Sequence, residues 1–518
     1  MIVEVVPILR LRRLTTWWSY RVPTSLSHTV QVGSLVSVPF RGRSTMGIVW
    51  QVTRETPPAK LEAVQAVHAS QPLLLKPHRE LIEWLGSTGA ISLSTALSCW
   101  LPAALRVPLT KGTRELLGAL EDAPRTAPGL ANVRQQAAIS PFQQPAAAAS
   151  MLQRFPDAFW DTFAATTPKQ ELVEWLKVRT GKTQLVFGRE RAIFAPYLNL
   201  RHAILAEAED PSYYHGHLPY LPLQHAVTSL SQRSGADLVV RSNLPPATGE
   251  LLWGKPVVSM VKDRQVTLVD LSKDPLINPS LITAIQGALR QNRRVLLLLN
   301  SYDKQVTGTD GMANLIPGVQ TLKKQLATAL GLAALPEDIV LGTRSILSET
   351  YRDVGLTVAL NLDTQLNPQC FADELSLWSD LGSLFSYPAP CIVQARAQDS
   401  PVLHALRNQQ FASYTYQVVT ERITAGLPPA PNITFCSLPN SPSVSTEMSN
   451  LREKLLPLLA PTGWQVSESF ERSFRKVTSS HLALIPPVNA LQLPTSATKV
   501  LAELKRPWKV QVGAWHIL

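Results

Sequence analysis

Glycine is scarce in this 518-residue chain, 25 against 41 prolines, so many short elements must be joined by stiff connections. No apolar run approaches the roughly 18 residues of a membrane span, and "VLLLL" at 295–299 reads as a buried strand. The opening "MIVEVVPILRLRR" lacks the charge-first, apolar-second order of a secretory signal, which leads to the expectation of a cytosolic protein. Four cysteines (Cys99, Cys370, Cys391 and Cys436) are scattered without a C-x-x-C pair, excluding a disulfide framework and a cysteine zinc site. Among ten histidines there is no H-E-x-x-H, and His215 and His217 in "EDPSYYHGH" read as a polar loop. There is no internal repeat. The length suits several domains, and 45% apolar with 17% charged residues is enough to build real cores.

The phosphate-cradling loop of an ATPase is also missing from the place that first suggests one. Gly181-Lys182-Thr183 ends like a P-loop, but the earlier glycine would stand where Leu176 is. A helical run precedes the tripeptide and a strand-like "TQLVFG" follows it, the reverse of a P-loop. Gly181 therefore reads as the glycine that ends a helix, with Lys182 near its C-terminus.

What is present in excess is positive charge at both ends. The formal charge is +11. Residues 1–54 hold seven arginines against Glu4, and residues 461–518 hold seven basic residues against three acids. Terminal arginine of this kind suggests polyanion binding. Residues 30–54 alternate as two strands joined by the basic tip Arg41-Gly42-Arg43, and residues 78–105 have helical spacing. Residues 123–150, rich in Ala, Pro and Gln, read as a linker or a poorly packed remnant. From 184 to 400, short apolar runs ("TQLVFG", "HAILAE", "DLVVRS", "RVLLLLN", "DIVLG", "TVALNL", "CIVQAR") alternate with helical ones such as 280–291 and 319–331, the pattern of parallel sheets with crossovers. Residues 401–518 return to α+β and end in a strand-like "RPWKVQVGAWHIL".

In order, these pieces resemble the primosomal protein N′ (PriA) family of bacterial replication-restart helicases. "WWSYRVP", "VGSLVSVPF" and "GIV" are similar to the family's F-D-Y-x-V-P … G-x-x-V-x-V-P-F … G-I-V. "LEAVQAVHASQPLL" and "LIEWLGSTGAISLSTALSCWLPAAL" continue the likeness, and "LVFGRERAIFAPYLNL", "IVLGTRSILSETYRDVGLTVALNLD" and "ERITAGLPPAPN" extend it more loosely. The resemblance implies a multidomain α/β protein. Its parts would be a small β-barrel-like DNA-binding domain (1–105), a linker or degenerate winged-helix region (106–150), two degenerate RecA-like helicase lobes with parallel sheets (151–265 and 266–400) and an α+β C-terminal domain (401–518).

The resemblance also implies a loss of catalysis. The ATP loop should fall before residue 160, where nothing resembles it. D-E-E-H has become Ala206-Glu207-Ala208-Glu209, without the Mg²⁺-binding aspartate, and S-A-T-P has become Ser242-Asn243-Leu244-Pro245. The arginine motif Q-V-A-G-R-A-G-R has become "DLGSLFSYP", and "SYDKQVTGTDGMANLIP" stands where the zinc-binding insertion belongs. No catalytic residue, ATP site, metal or cofactor is therefore expected. In the family the N-terminal domain holds a 3′ DNA end in a pocket built on the F-D-Y triplet, here Trp18-Ser19-Tyr20, and Glu62 stands at the position of its lysine. The expected DNA-binding residues are Trp18, Ser19, Tyr20, Arg21, Arg41, Gly42 and Arg43, with Trp18 or Tyr20 stacking on a base and the arginines on phosphates. One of Trp17 and Trp18 should be buried, because neighbouring strand residues face opposite ways. The expected function is a replication-restart factor that recognises branched or single-strand/duplex-junction DNA. Its expected partners are other primosome or single-stranded-DNA-binding proteins in the bacterial cytoplasm, with no membrane. The alternatives are an active ATP-dependent 3′→5′ helicase with an unrecognised nucleotide site, and an interaction scaffold without DNA binding.

Overall fold

The structure, a computed structural model, describes residues 1–518 except 12–16, 54–59, 70, 125–132, 141–159, 163–166, 215–219, 301–303, 308–312, 317, 349–350, 430–432, 475–476, 488–489, 491–492, 506, 515 and 518. His215 and His217 lie outside the described residues.

The N-terminal unit is an antiparallel sheet of β1 (Ile2–Pro7), β2 (Trp18–Arg21), β3 (Leu35–Phe40), β4 (Arg43–Thr53) and β5 (Ala66–Val67), in the order β2-β1-β4-β3-β5. Alternation gives it two apolar faces. Val3, Val5, Val36, Val38 and Tyr20 pack on one side, while Val6, Leu35, Met46 and Ile48 face helices α1 (Lys76–Thr88) and α2 (Leu93–Trp100) on the other. The edge strand β2 is not left open. Arg21 N–H donates to Glu62 O (2.9 Å) and Val64 N–H donates to Arg21 O (3.0 Å), which ties β2 to the segment that runs into the opposite edge, β5.

The second face does not stop at the unit's border. Its core runs on through Leu172, Trp175, Leu176 and Tyr197 to Val240 of the next unit. Three polar or aromatic anchors lock that junction. The buried Arg179 donates from Nε to Leu73 O (3.1 Å) and from Nη2 to Pro72 O (2.6 Å). His78 Nδ1 accepts from Leu75 N–H (3.2 Å) and Nε2 lies 2.9 Å from Tyr197 O, so the proton sits on Nε2. Trp100 meets Trp175 edge-on at 5.6 Å.

That next unit is a six-stranded, wholly parallel sheet of β6 (Gln135–Ile139), β7 (Trp160–Thr162), β8 (Leu185–Gly188), β9 (Leu200–Leu205), β10 (Asp237–Arg241) and β11 (Val257–Val258), in the order β11-β10-β9-β6-β8-β7. Here the linker reading of 123–150 is corrected: β6 lies inside that stretch and is an interior strand. "QQAAI" has no β-branched alternation to announce it. Its anchor is the fully buried Gln135, whose Nε2 donates to Val178 O (2.7 Å) and Thr183 O (3.0 Å) and whose Oε1 accepts from Leu198 N–H (2.7 Å) and Asn199 N–H (3.1 Å). Gly181 does end a helix, Pro168–Arg179: its φ is +77°, and Lys182 N–H closes back on Lys177 O at 2.9 Å.

The second parallel sheet holds β12 (Val266–Asp270), β13 (Arg294–Leu298), β16 (Ile339–Gly342), β17 (Val354–Ala359) and β18 (Cys391–Ala395), in the order β12-β18-β17-β13-β16. A separate antiparallel hairpin pairs β14 (Lys304–Thr307) with β15 (Ala313–Ile316). The crossover helices include Pro279–Arg290 and Val319–Ala329. The C-terminal unit follows two helices (Pro401–Arg407 and Phe411–Thr424) and is an antiparallel sheet of β19 (Thr434–Pro439), β20 (Gln465–Val466), β21 (Phe470–Phe474), β22 (Val477–Ile485) and β23 (Lys509–Val512). The helix Val444–Leu459 covers it. Among the described residues no helix is long and apolar enough to cross a membrane, and no group of three metal-ligating side chains is assembled.

Candidate nucleic-acid interface

The β3–β4 hairpin turns on two residues only, Arg41 (φ +50°) and Gly42 (φ +74°). Two consecutive positive φ values make the primed turn whose twist suits a hairpin. A Cβ on Gly42 would meet nothing within 4 Å, so the backbone conformation, and not crowding, is what favours glycine there. Arg41, Gly42 and Arg43 are all exposed at the tip, and Arg43 pairs across the hairpin with Phe40.

β2 and β3 are separated by two strands in the sheet, yet their side chains meet because the sheet curls. Trp18 packs edge-on against Phe40 at 4.9 Å, and the Arg41 guanidinium sits 5.4 Å from the centre of the same Phe40 ring. Trp18, Phe40 and Arg41 thus form one contiguous row leading to the tip. Ser19 and Arg21, the alternate residues of β2, are exposed on the outer face. Among the described residues no carboxylate forms an ion pair with Arg21, Arg41 or Arg43.

Two sequence expectations change here. Tyr20 is 4% exposed and its Oη donates to Pro39 O at 2.9 Å, so its ring is a core element and presents no face to a base. Burial, with the Glu62 carboxylate beside it, pushes its pKa up to about 12. Trp17 is the outward member of the tryptophan pair, 39% exposed, while Trp18 is half-buried. Alternation foretells that the two rings part, but it does not say which one turns out.

Residues 5–102 match the PriA 3′ DNA-binding domain (3′BD) family model. The 3′BD match spans the curled sheet, α1 and α2, and so includes every residue of the row just described. Among curated proteins, none matches the chain. Within the 3′BD region, Ser19 and Glu62 occupy different positions: Ser19 on the outer face of β2, Glu62 beside Tyr20.

The residues that the sequence resemblance sets beside the family's catalytic motifs lie outside residues 5–102, two of the stretches after parallel strands and one in a helix. Residues 206–209 follow β9, with Glu207 in the left-handed region (φ +47°). Residues 242–245 follow β10, and "DLGSLF" lies in the helix Phe371–Phe385. Burial, with Glu209 and Asp210 nearby, pushes Glu207 up to about 8. β6 ends at Ile139, and residues 141–159, where the resemblance puts the phosphate loop, lie outside the described residues.

Proposed function

We propose that this chain is a DNA-binding factor of replication restart that holds branched or forked DNA on residues 1–105 and turns over no ATP. The observation that carries the reading is the match of residues 5–102 to the 3′BD family. In this reading Arg21, Arg41 and Arg43 neutralise phosphates, and Gly42 lets the tip turn sharply enough to present two of them. Trp17 and the edge of Trp18 stack on an exposed base, with Ser19 available as a hydrogen-bonding neighbour. The two parallel-sheet units descend from helicase lobes and serve as scaffold, the first beginning near β6. The C-terminal unit, with the chain's other basic excess, adds to polyanion binding. Partners would be other primosome or single-stranded-DNA-binding proteins in the cytoplasm.

The test is fluorescence anisotropy of the full chain on a forked and a linear DNA of equal length, run beside ATP turnover on the fork. Tighter binding to the fork, with turnover far below about 1 per second, is expected. Equal binding to both DNAs would remove fork recognition, and helicase-like turnover would remove the non-catalytic reading.

A further inference from the structure

In open parallel sheets, ligands enter the crevice beyond the carboxyl ends of the strands. In this chain the carboxyl ends of the two parallel sheets face one another, and the side chains there are spent on each other. After β9 comes the fully buried Glu209. Its Oε2 accepts from Ser242 Oγ (2.8 Å), and its Oε1 accepts from Asn243 N–H (2.9 Å) and from Ser379 Oγ (2.9 Å). The first two donors belong to the loop after β10, and the third belongs to the second unit's Phe371–Phe385 helix.

A reciprocal clasp comes from the other side. Arg344, just past β16, reaches Asp380 Oδ1 with Nε (3.1 Å) and Asp210 Oδ2 of the first unit with Nη2 (3.6 Å). Asp380 is further held by Asn300 Nδ2 (2.7 Å) and Gln365 Nε2 (2.9 Å), and Asn300 Oδ1 accepts from Arg344 N–H (3.1 Å). Burial alone would lower the Arg344 pKa, but Asp380, Asp210 and Glu209 outweigh it, and the net shift is upward. Arg344, Asp210 and Asp380 thus pair with one another across the seam, and Glu209 is held by hydrogen bonds from both units.

Packing closes the same seam. A Cβ on Gly382 would lie 1.7 Å from Asn243 O, so the second unit's helix touches the first unit's backbone with no side chain between them. Leu244, next in that loop, is fully buried in the second unit's core with Phe371 and Trp378. Thr248 and Thr415 add a buried hydroxyl pair at 2.8 Å.

We propose that this network is a latch: the two parallel-sheet units are held shut on each other by their own side chains. Among the described residues the seam is filled by 242–244, Ser379, Gly382 and Arg344, and in this proposal the units neither open to admit a nucleotide nor close in response to one. This inference stands on the packing and is independent of the DNA-binding reading.

Hydrogen exchange of the full chain tests it, read at peptides covering 242–244 and 379–382, with and without Mg–ATP, beside small-angle scattering. The wild type should exchange slowly at Asn243 and Leu244 and keep one radius of gyration whether or not Mg–ATP is added. Arg344→Gln, which takes the shared cation from Asp210 and Asp380, should speed exchange at those amides about tenfold or more while the β1–β4 ladder stays protected. Gly382→Ala should do the same with every charge intact, acting as a wedge. Protection or contraction appearing only on addition of Mg–ATP would overturn the proposal. So would wild-type exchange rates in the Gly382→Ala variant, a measurement that stands even where Arg344→Gln does not fold.

Discussion

Tyr20 Oη donates to Pro39 O at 2.9 Å across a sheet in which their strands are not neighbours. This bond records how far the N-terminal sheet curls, and the curl brings Trp18 of β2 against Phe40 beside the arginine tip. Tyr20→Phe keeps the ring and strands the Pro39 carbonyl. Stability to urea should fall by about 1–2 kcal/mol. The variant should bind DNA as the wild type does once folded, since the hydroxyl faces inward. An unchanged urea midpoint would mean that the bond does not hold the curl.

Trp17 and Trp18 should separate into two phenotypes. Trp17→Ala removes an exposed ring and should weaken fork binding by roughly 1–3 kcal/mol with little change in stability. Trp18→Ala also removes the edge contact to Phe40, and should lower the melting temperature as well as affinity. Titration calorimetry and thermal melts on the same preparations check both. A Trp17→Ala protein that binds like the wild type would take base stacking away from this face.

The buried His78 makes the junction between the first two units sensitive to acid. Burial, aided by the Arg179 guanidinium, pushes its pKa down to about 3 from 6.5. The folded state then binds fewer protons than the unfolded one, so stability present above pH 6.5 is lost as pH falls toward 3, at up to about 1.4 kcal/mol per pH unit. His225 and His481, each lowered to about 4, act in the same direction, and Glu207, raised to about 8, acts in the opposite one. The difference between variants therefore isolates His78. His78→Gln should be less stable at pH 7.5 and show a shallower loss between pH 6.5 and 4 in urea titrations. Parallel curves would contradict a neutral, buried His78.

Much of the architecture was legible because its strands are short, apolar runs between polar stretches. "RVLLLLN" and "TVALNL" announce β13 and β17 by composition alone, and the helix end at Gly181 follows from Leu176 standing where a P-loop glycine would be. β6 was not legible: its role depends on one buried glutamine that serves four backbone groups, and a linker would use the same residue types. At the interface, the exposed Arg41, Gly42 and Arg43 follow from their place at a hairpin tip. The exposure of Trp17 and the burial of Tyr20 do not, because they depend on which way a four-residue strand lies on a curled sheet. The seam between the parallel units was hidden for a similar reason, since Glu209, Arg344 and Asp380 lie far apart in sequence.

Gln135→Leu tests that interior strand. The change is close in volume but deprives two carbonyls and two N–H groups of their partner. At about 1–3 kcal/mol for each stranded group, the loss should exceed about 3 kcal/mol. Urea unfolding followed by tryptophan fluorescence measures it. A loss within about 0.5 kcal/mol would mean that water replaces the amide and that β6 is not held by Gln135.

The claim that DNA is held at the N-terminal hairpin face rests on Arg21, Arg41 and Arg43, and the salt dependence of fork binding tests it most directly. Each phosphate-contacting arginine contributes about one unit to the slope of log K against log salt. The triple Arg→Ala variant should bind the fork more weakly than the wild type, with a slope shallower by up to about three units, and should keep its fold by circular dichroism. An unchanged affinity and slope would contradict the account and move the DNA site off this hairpin.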